Sequence, residues 1–337
     1  MSIRFGLIGC GEIGRLRAAA LAEASLPLTA VSDIDRQRAE REAAPRGAAV
    51  EADWRSLIGR ADVDAVIVST PPSLHAEMCI AALNASKHVL CEKPLARNPE
   101  EARAMIEAAA GSGRFLATGF NYRFYPSVAK AKELLDSGII GELDHIRSYT
   151  GYSATDHNHP WLHDAATMGG GSLRDNGIHL IDVTCYLLGE VAGMQGYASH
   201  GVWKFPGCED NGFVLLRSKE GKIASLQASW TEWRGYRFEV EIYGSRGMIR
   251  TSCFPMITRL VWAAERGGKT SRKTWFFPRT HLMEHLRSYR WVVVQSFLRE
   301  HQEFLLAAKG EPSMIATGLD GLRSIEIAQS ARHSQGL

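Results

Sequence analysis

The sequence predicts an α/β N-terminal domain with a doubly wound parallel sheet, followed by an α+β domain with a large, predominantly antiparallel open sheet. Three observations predict it. Residues 1–120 alternate short apolar strands with helical runs. The turn Gly9-Cys10-Gly11-Glu12-Ile13-Gly14 joins the first strand to the first helix. Beyond residue 120, strand-like runs succeed one another with few intervening helices, as antiparallel pairing requires.

In order, residues 3–8 read as a short buried strand, 13–24 as a helix, 28–32 as a strand and 35–44 as a helix opened by Asp35. Residues 64–69 (Asp-Ala-Val-Ile-Val-Ser) are apolar on both faces, like a central parallel strand. A helix over 73–84, a strand over 88–91, a helix over 98–110 with Pro99 in its first turn, and a strand over 115–118 complete the domain. A helix at 127–136 then precedes strands at 142–152, 196–203, 213–217, 222–230, 237–242, 248–251 and 258–262, with one helix over 172–188. Two helical runs, 282–308 and 316–333, close the chain; Leu286, Val293, Phe297 and Phe304 share one face of the first.

Composition bounds the rest. A chain of 337 residues holds about two domains. At 45% hydrophobic and 23% charged it belongs with folded proteins. Lys+Arg 39 against Asp+Glu 37, a net charge of +2, argues against nucleic-acid binding by bulk charge. No apolar run approaches the ~18–20 residues of a membrane span, and Met1–Gly14 lacks the pattern of a signal peptide. Cys10, Cys79, Cys91, Cys185, Cys208 and Cys253 are scattered, without a Cys-x-x-Cys pair. They read as free, mostly buried thiols of a cytoplasmic protein.

The glycine turn carries the first chemistry. Gly9 permits the tight turn, Gly11 lets backbone approach a pyrophosphate, and Gly14 allows close helix–strand packing. The helix N-terminus, with Glu12 and Ile13 in its first turn, presents free N–H groups. Asp33 ends the second strand, nineteen positions after Gly14, where an acid hydrogen-bonds an adenosine ribose. A carboxylate there repels a 2′-phosphate and favours NAD over NADP, although Arg36 and Arg38 follow closely.

Further motifs stand in a recognisable order. Thr70-Pro71-Pro72-Ser73-Leu74-His75 follows the third strand, and Cys91-Glu92-Lys93-Pro94-Leu95 ends the fourth. Gly119-Phe120-Asn121-Tyr122-Arg123-Phe124 follows, then the run from Gly169-Gly170-Gly171 through Arg174, Asp175 and His179 to Asp182. The tail carries Phe297, Glu300 and Phe304, then Pro312 and Asp320-Gly321-Leu322. Together these resemble the glucose–fructose oxidoreductase / inositol dehydrogenase / rhizopine-catabolism oxidoreductase family over nearly the whole chain.

The resemblance implies an NAD(P)-binding domain over 1–120 and a substrate-binding and oligomerisation domain over 121–337. It implies NAD-dependent hydride transfer at a secondary hydroxyl or ketone of a cyclic sugar, polyol or nucleotide-sugar. Lys93, Asp175 and His179 become the catalytic residues: His suits proton transfer near neutral pH, and Lys93 suits a developing alkoxide. Gly9, Gly11, Glu12, Ile13, Gly14, Asp33, Thr70, Pro71, Pro72, His75, Glu92, Lys93 and Asn121 become the cofactor contacts. Lys93, Tyr122, Arg123, Tyr152, Trp161, Arg174, Asp175 and His179 become the substrate contacts. A homodimer or homotetramer is implied, since relatives cover the open sheet by pairing subunits. Two departures stand out: Arg17 where a His is frequent, and Asn176 where many members are apolar.

Other readings stay open at this point. The same fold serves non-catalytic dinucleotide sensors and glycosidases working through transient oxidation. Tyr149–Asp164 is rich in polar and aromatic groups that suit a sugar pocket. His157, His159 and His163 there match no standard zinc spacing, and no metal is expected. From Arg266 to Arg299, eight Lys and Arg residues accompany a single acid, Glu284. That stretch reads as a solvated hairpin and helix, as an anion site for a nucleotide-sugar phosphate, or as a membrane or oligomer contact.

Overall fold

The computed structural model describes residues 3–156 and 160–333. Two compact units emerge. The first gathers the chain up to Asn121 together with Ser288–Arg323; the second holds Tyr122–Arg287 and the chain from Ser324.

The first unit runs β1 (Phe5–Ile8), α1 (Glu12–Glu23), β2 (Leu28–Ser32), α2 (Arg36–Ala43), β3 (Ala49–Glu51), α3 (Trp54–Ile58), β4 (Ala65–Val68), α4 (His75–Asn84), β5 (His88–Glu92), α5 (Pro99–Ser112) and β6 (Leu116–Gly119). Its sheet is parallel throughout, in the order β3-β2-β1-β4-β5-β6. The chain starts at the centre, winds out to β3, then returns across β1 to β4. That reversal leaves a crevice at the carboxyl ends of β1 and β4. Both strands are buried at every residue, as the unbroken apolar runs require. Asp35 caps α2 through the N–H groups of Gln37 and Arg38, and Asn98 caps α5 with Pro99 behind it.

The second unit runs α6 (Pro126–Asp136), β7 (Leu143–Gly151), α7 (Ala165–Met168), α8 (Gly177–Leu188), β8 (Val191–Ser199), β9 (Asn211–Ser218), β10 (Ile223–Ser229), β11 (Arg237–Gly244), β12 (Gly247–Cys253), β13 (Met256–Ala263), β14 (Thr270–Phe276) and α9 (Pro278–Arg287). Eight strands form one sheet, in the order β14-β13-β12-β11-β7-β10-β9-β8. Pairing is antiparallel except between β7 and β10, because α8 and the β8–β9 hairpin intervene and return the chain in the same direction. Helix α8 packs on β7 and β10, where the Ser148 and Thr184 hydroxyls meet at 2.9 Å. Burial in β9 alternates: Val214 and Leu216 face the core, while Phe213 and Leu215 are about half exposed on the other face.

Two helices follow, α10 (Tyr289–Ala308) and α11 (Gly318–His333). Helix α10 belongs to the first unit. Val294 and Phe297 pack with Leu16 and Ala20 of α1, and Phe304 lies 6.0 Å from the rings of Phe5 and Phe115. Of the apolar face seen in the sequence, Val293, Phe297 and Phe304 are core of the first unit, whereas Leu286 is 70% exposed and lies in the second; 288–323 leaves the second domain to which 121–337 assigned it.

Other boundaries move for local reasons. β3 and α3 escape the sequence because they are short and only partly buried. β14 escapes because an edge strand exposed on nearly every residue needs no apolar alternation. The run 282–308 is two helices, broken at Ser288, whose φ of 76° is not helical. The expected helix over 172–188 starts at Gly177, and the strand expected at 196–203 lies at Val191–Ser199.

Candidate active site

In the first unit the glycine turn connects β1 to α1. Gly9 has φ +90°, and a Cβ there would meet the Ser69 carbonyl oxygen at 2.6 Å. A Cβ on Gly14 would run into the Gly9 carbonyl. Gly11 differs: a Cβ there would meet nothing within 4 Å, so its surface lies open at the N-terminus of α1. Glu12 is exposed beside it and Ile13 is 41% exposed. Asp33 accepts the Cys10 N–H at 2.6 Å through one oxygen and the Asp35 N–H at 2.8 Å through the other. These bonds hold the carboxylate at the end of β2 and leave it lone pairs for ribose hydroxyls. Burial, then Asp33, push the Cys10 thiol up to about 12, so it stays protonated.

Thr70, Pro71 and Pro72 follow β4 at the crevice, and Lys93 follows β5, half-buried. His75 was expected as a cofactor contact. It is fully buried, and its ring nitrogens lie 2.9 Å from the Pro94 oxygen and 2.8 Å from the Thr70 oxygen. It ties the two loops together. Asn121 is buried and donates to the Ser296 hydroxyl at 2.8 Å. Glu92 is buried and paired with Arg17.

The second unit brings four expected residues into one chain of contacts. Tyr152 donates its hydroxyl to Asp175, and the Trp230 indole N–H donates to the same oxygen at 3.3 Å. The Tyr152 and Tyr236 rings lie 6.2 Å apart, and Tyr236 meets the Tyr122 hydroxyl at 2.9 Å. Tyr122 stacks on the His179 ring at 4.2 Å. Burial, then the Asp175 charge, push the Tyr152 phenol far up, so it remains a donor. Asp175 and His179 are buried, at 4% and 5% exposed. Asp175 lies in the turn before α8, not within it.

That turn has its own support. Both Glu209 carboxylate oxygens accept backbone N–H groups, from Gly171 and Leu173, each at 2.9 Å. A Cβ on Gly171 would strike the Glu209 backbone. Sequence reasoning missed Glu209, Trp230 and Tyr236.

Three further expected substrate contacts lie in different settings. Arg123 is engaged by Asp182, at 2.9 and 2.5 Å, and lies 4.7 Å over the Tyr186 ring; this buried pair joins the segment after β6 to α8. Arg174 is fully buried, whereas Trp161 is 37% exposed. His163 stacks on Phe205 at 4.1 Å. His157 and His159 lie outside the described residues, among which no three His, Cys, Asp or Glu side chains form a metal-holding group. The basic stretch is divided between the two units: Arg272 and Lys273 ride β14, while Arg290 pairs with Glu12 at 3.0 Å.

A dinucleotide cradle in one unit and a carboxylate–phenol–imidazole constellation in the other define the class: a two-domain, NAD-binding oxidoreductase. Residues 3–120 match the model of the oxidoreductase family with an NAD-binding Rossmann fold, and residues 128–250 match the GFO/IDH/MocA C-terminal domain. The chain belongs to this family. It is 33% identical to the myo-inositol 2-dehydrogenase of Thermotoga maritima over 341 residues, 98% of this chain and 96% of the relative. It is 31% identical to the levoglucosan dehydrogenase of Pseudarthrobacter phenanthrenivorans over 284 residues, 74% of this chain and 73% of the relative. A solved structure of levoglucosan dehydrogenase in complex with NADH superposes with a TM-score of 0.88 at 26% identity, covering 100% of this chain and 97% of that one. The residues present fit NAD: an open Gly11, a helix N-terminus facing the crevice, and a fixed Asp33.

Proposed function

We propose that the chain reversibly oxidises a secondary hydroxyl of a free cyclic sugar or polyol. One observation carries the reading: a buried carboxylate, Asp175, is fixed by Tyr152 and Trp230, and His179 is stacked on Tyr122 in the same contact chain. Aromatic faces beside an oriented carboxylate suit the C–H faces and hydroxyls of a sugar.

NAD, when bound, supplies the hydride acceptor. Asp175 accepts a substrate hydroxyl and orients the ring. His179 takes the proton of the reacting hydroxyl, and the Lys93 ammonium stabilises the alkoxide as it forms. Gly9, Gly11, Gly14, Asp33 and the loops after β4 and β5 hold the cofactor. A nucleotide-sugar is the weaker choice. Arg272 and Lys273 ride an edge strand four positions from β7, roughly 19 Å from it at ~4.8 Å per strand. Six buried free thiols suit a reducing compartment, which we take to be the cytoplasm. Among the described residues no helix is long and apolar enough to cross a membrane.

The test is NADH formation from NAD across a panel of free sugars, inositols and nucleotide-sugars, with Lys93→Ala beside the wild type. Turnover on a free sugar or polyol, lowered ~10²–10⁴-fold in Lys93→Ala at near-normal NAD binding, supports the reading. Full turnover in Lys93→Ala removes Lys93 from the chemistry. Glycoside cleavage without NADH build-up replaces the reading by transient oxidation, and tight NAD binding without any turnover replaces it by a sensor.

A further inference from the structure

Arg17 is a fully buried cation on α1. Three groups surround it, all from the first unit. Its Nε and Nη2 approach Glu92 Oε1 at 2.7 and 2.6 Å. Its Nη1 donates to Glu300 of α10, a carboxylate with no exposed surface. Its guanidinium lies 3.7 Å over the Phe297 ring. The second Glu92 oxygen accepts the backbone N–H of Lys93 at 3.3 Å. Space for the guanidinium is reserved by Gly119 on β6, where a Cβ would meet Arg17 Nη2 at 2.7 Å.

A fork that engages two carboxylates at once is a property of arginine; lysine or histidine offers no such pair of parallel donors. Burial alone would lower the Arg17 pKa, but Glu300 and Glu92 outweigh it, so the charge persists. Breaking a buried pair by removing one partner is destabilising, whereas replacing it with apolar groups of similar volume is often tolerated. The network therefore contributes little net stability for what it contains, and its geometry ends at the residue that carries Lys93.

We propose that Arg17 is a positioning residue for Lys93: it fixes the Glu92 carboxylate, which in turn fixes the Lys93 backbone, and it anchors both to Glu300 of α10. This rests on the role of Lys93 given above. The network ties α10 to α1 across the 283 positions that separate Arg17 from Glu300. Its function is to set the place of one ammonium group.

The test compares Arg17→Lys, the apolar double variant Arg17→Met/Glu300→Leu and Lys93→Ala with the wild type, measuring thermal unfolding, NAD affinity by calorimetry, and kcat and KM for the sugar found above. The double variant is expected to unfold cooperatively and to bind NAD and sugar within about threefold, while kcat drops ~10–100-fold, as small displacements of a reacting group do. Arg17→Lys, which keeps the charge and loses the fork, is expected to show the same selective loss of kcat. Glu300→Gln still presents an oxygen to Arg17 and is expected to keep kcat within about threefold of wild type. Wild-type kcat in either folded Arg17 variant overturns the proposal. So does a loss in Glu300→Gln as large as in Arg17→Lys, since that marks a purely structural network. If Lys93→Ala keeps full turnover, the assignment of Lys93 fails instead, and the two failures are read from different variants.

Discussion

Tyr152 donates its hydroxyl to Asp175, and the phenol is pushed so far up by burial and by that carboxylate that it never competes as an anion. Asp175 thus keeps a permanent donor on one oxygen and shares it with Trp230. Tyr152→Phe removes one charge-assisted bond from a buried acid, worth about 1.5–3 kcal/mol. The expected outcome is a kcat/KM lower by ~10–100-fold with the unfolding temperature shifted by only a few degrees. Steady-state kinetics beside a thermal melt check it; wild-type kinetics would show that Asp175 is oriented by other groups.

Two glycines of one turn should behave in opposite ways. Gly11 has open space where a Cβ would go, whereas a Cβ on Gly14 would collide with the Gly9 carbonyl. Gly11→Ala is expected to leave the unfolding midpoint nearly unchanged and weaken NAD binding ~10-fold or more, because the added methyl occupies the surface a pyrophosphate approaches. Gly14→Ala is expected to lower stability by more than about 2 kcal/mol, since backbone must move. Calorimetric NAD titration and urea unfolding of both variants separate the two effects.

Glu209 carries the turn that presents Asp175. Glu209→Ala leaves the N–H groups of Gly171 and Leu173 without their carboxylate, at a cost of about 1–3 kcal/mol for each unsatisfied group. Stability and kcat are expected to fall together, and Glu209→Gln, with one acceptor oxygen instead of two, to fall between. Equal kcat in all three proteins at a temperature where each is folded would separate Glu209 from the site.

The first unit was legible in the sequence because its signals are local. A glycine turn between strand and helix, an acid at the end of β2 and apolar runs such as 65–68 each act within a few residues. The second unit was less so. Glu209 acts on Gly171 across 38 positions, and nothing beside it in the chain marks that role. Arg123 and Asp182 were each noticed, but only packing reveals that they neutralise one another. His75 was read as a contact because of its motif, and its burial against two carbonyls is a tertiary fact. β14 was invisible because an exposed edge strand has no reason to alternate.

The exposed face of β8, β9 and β10 predicts assembly. Tyr197, Phe213, Leu215 and Ile223 are 49–55% exposed there, and Tyr197 faces Phe213 across the β8–β9 pair. A clustered apolar face of this kind marks an interface. The expected state is a homodimer or homotetramer by light scattering, and Phe213→Glu/Leu215→Lys is expected to shift it to smaller species while keeping the melt cooperative. A monomeric wild type would overturn the assignment.

Acid should weaken the fold through buried neutral histidines. Burial, then the Arg17 charge, hold the His301 pKa well below its ordinary value of 6.5, and burial also lowers His75 and His88. Above about pH 6.5 these residues are neutral whether folded or unfolded, so their full contribution is present and flat with pH. As pH falls below that value the unfolded chain takes up protons that the fold refuses. Each such histidine then removes up to about 1.4 kcal/mol of stability per pH unit, until the folded pKa is reached. The carboxylates add their own acid dependence, so the difference between proteins is the informative quantity. His301 lies 6.1 Å from the Phe5 ring, and His301→Phe removes its proton uptake without introducing a charge. Urea unfolding between about pH 7 and about pH 5 is expected to show a shallower loss in His301→Phe than in wild type, by close to one proton. Identical slopes would mean that His301 is protonated in the folded chain, directly against Arg17.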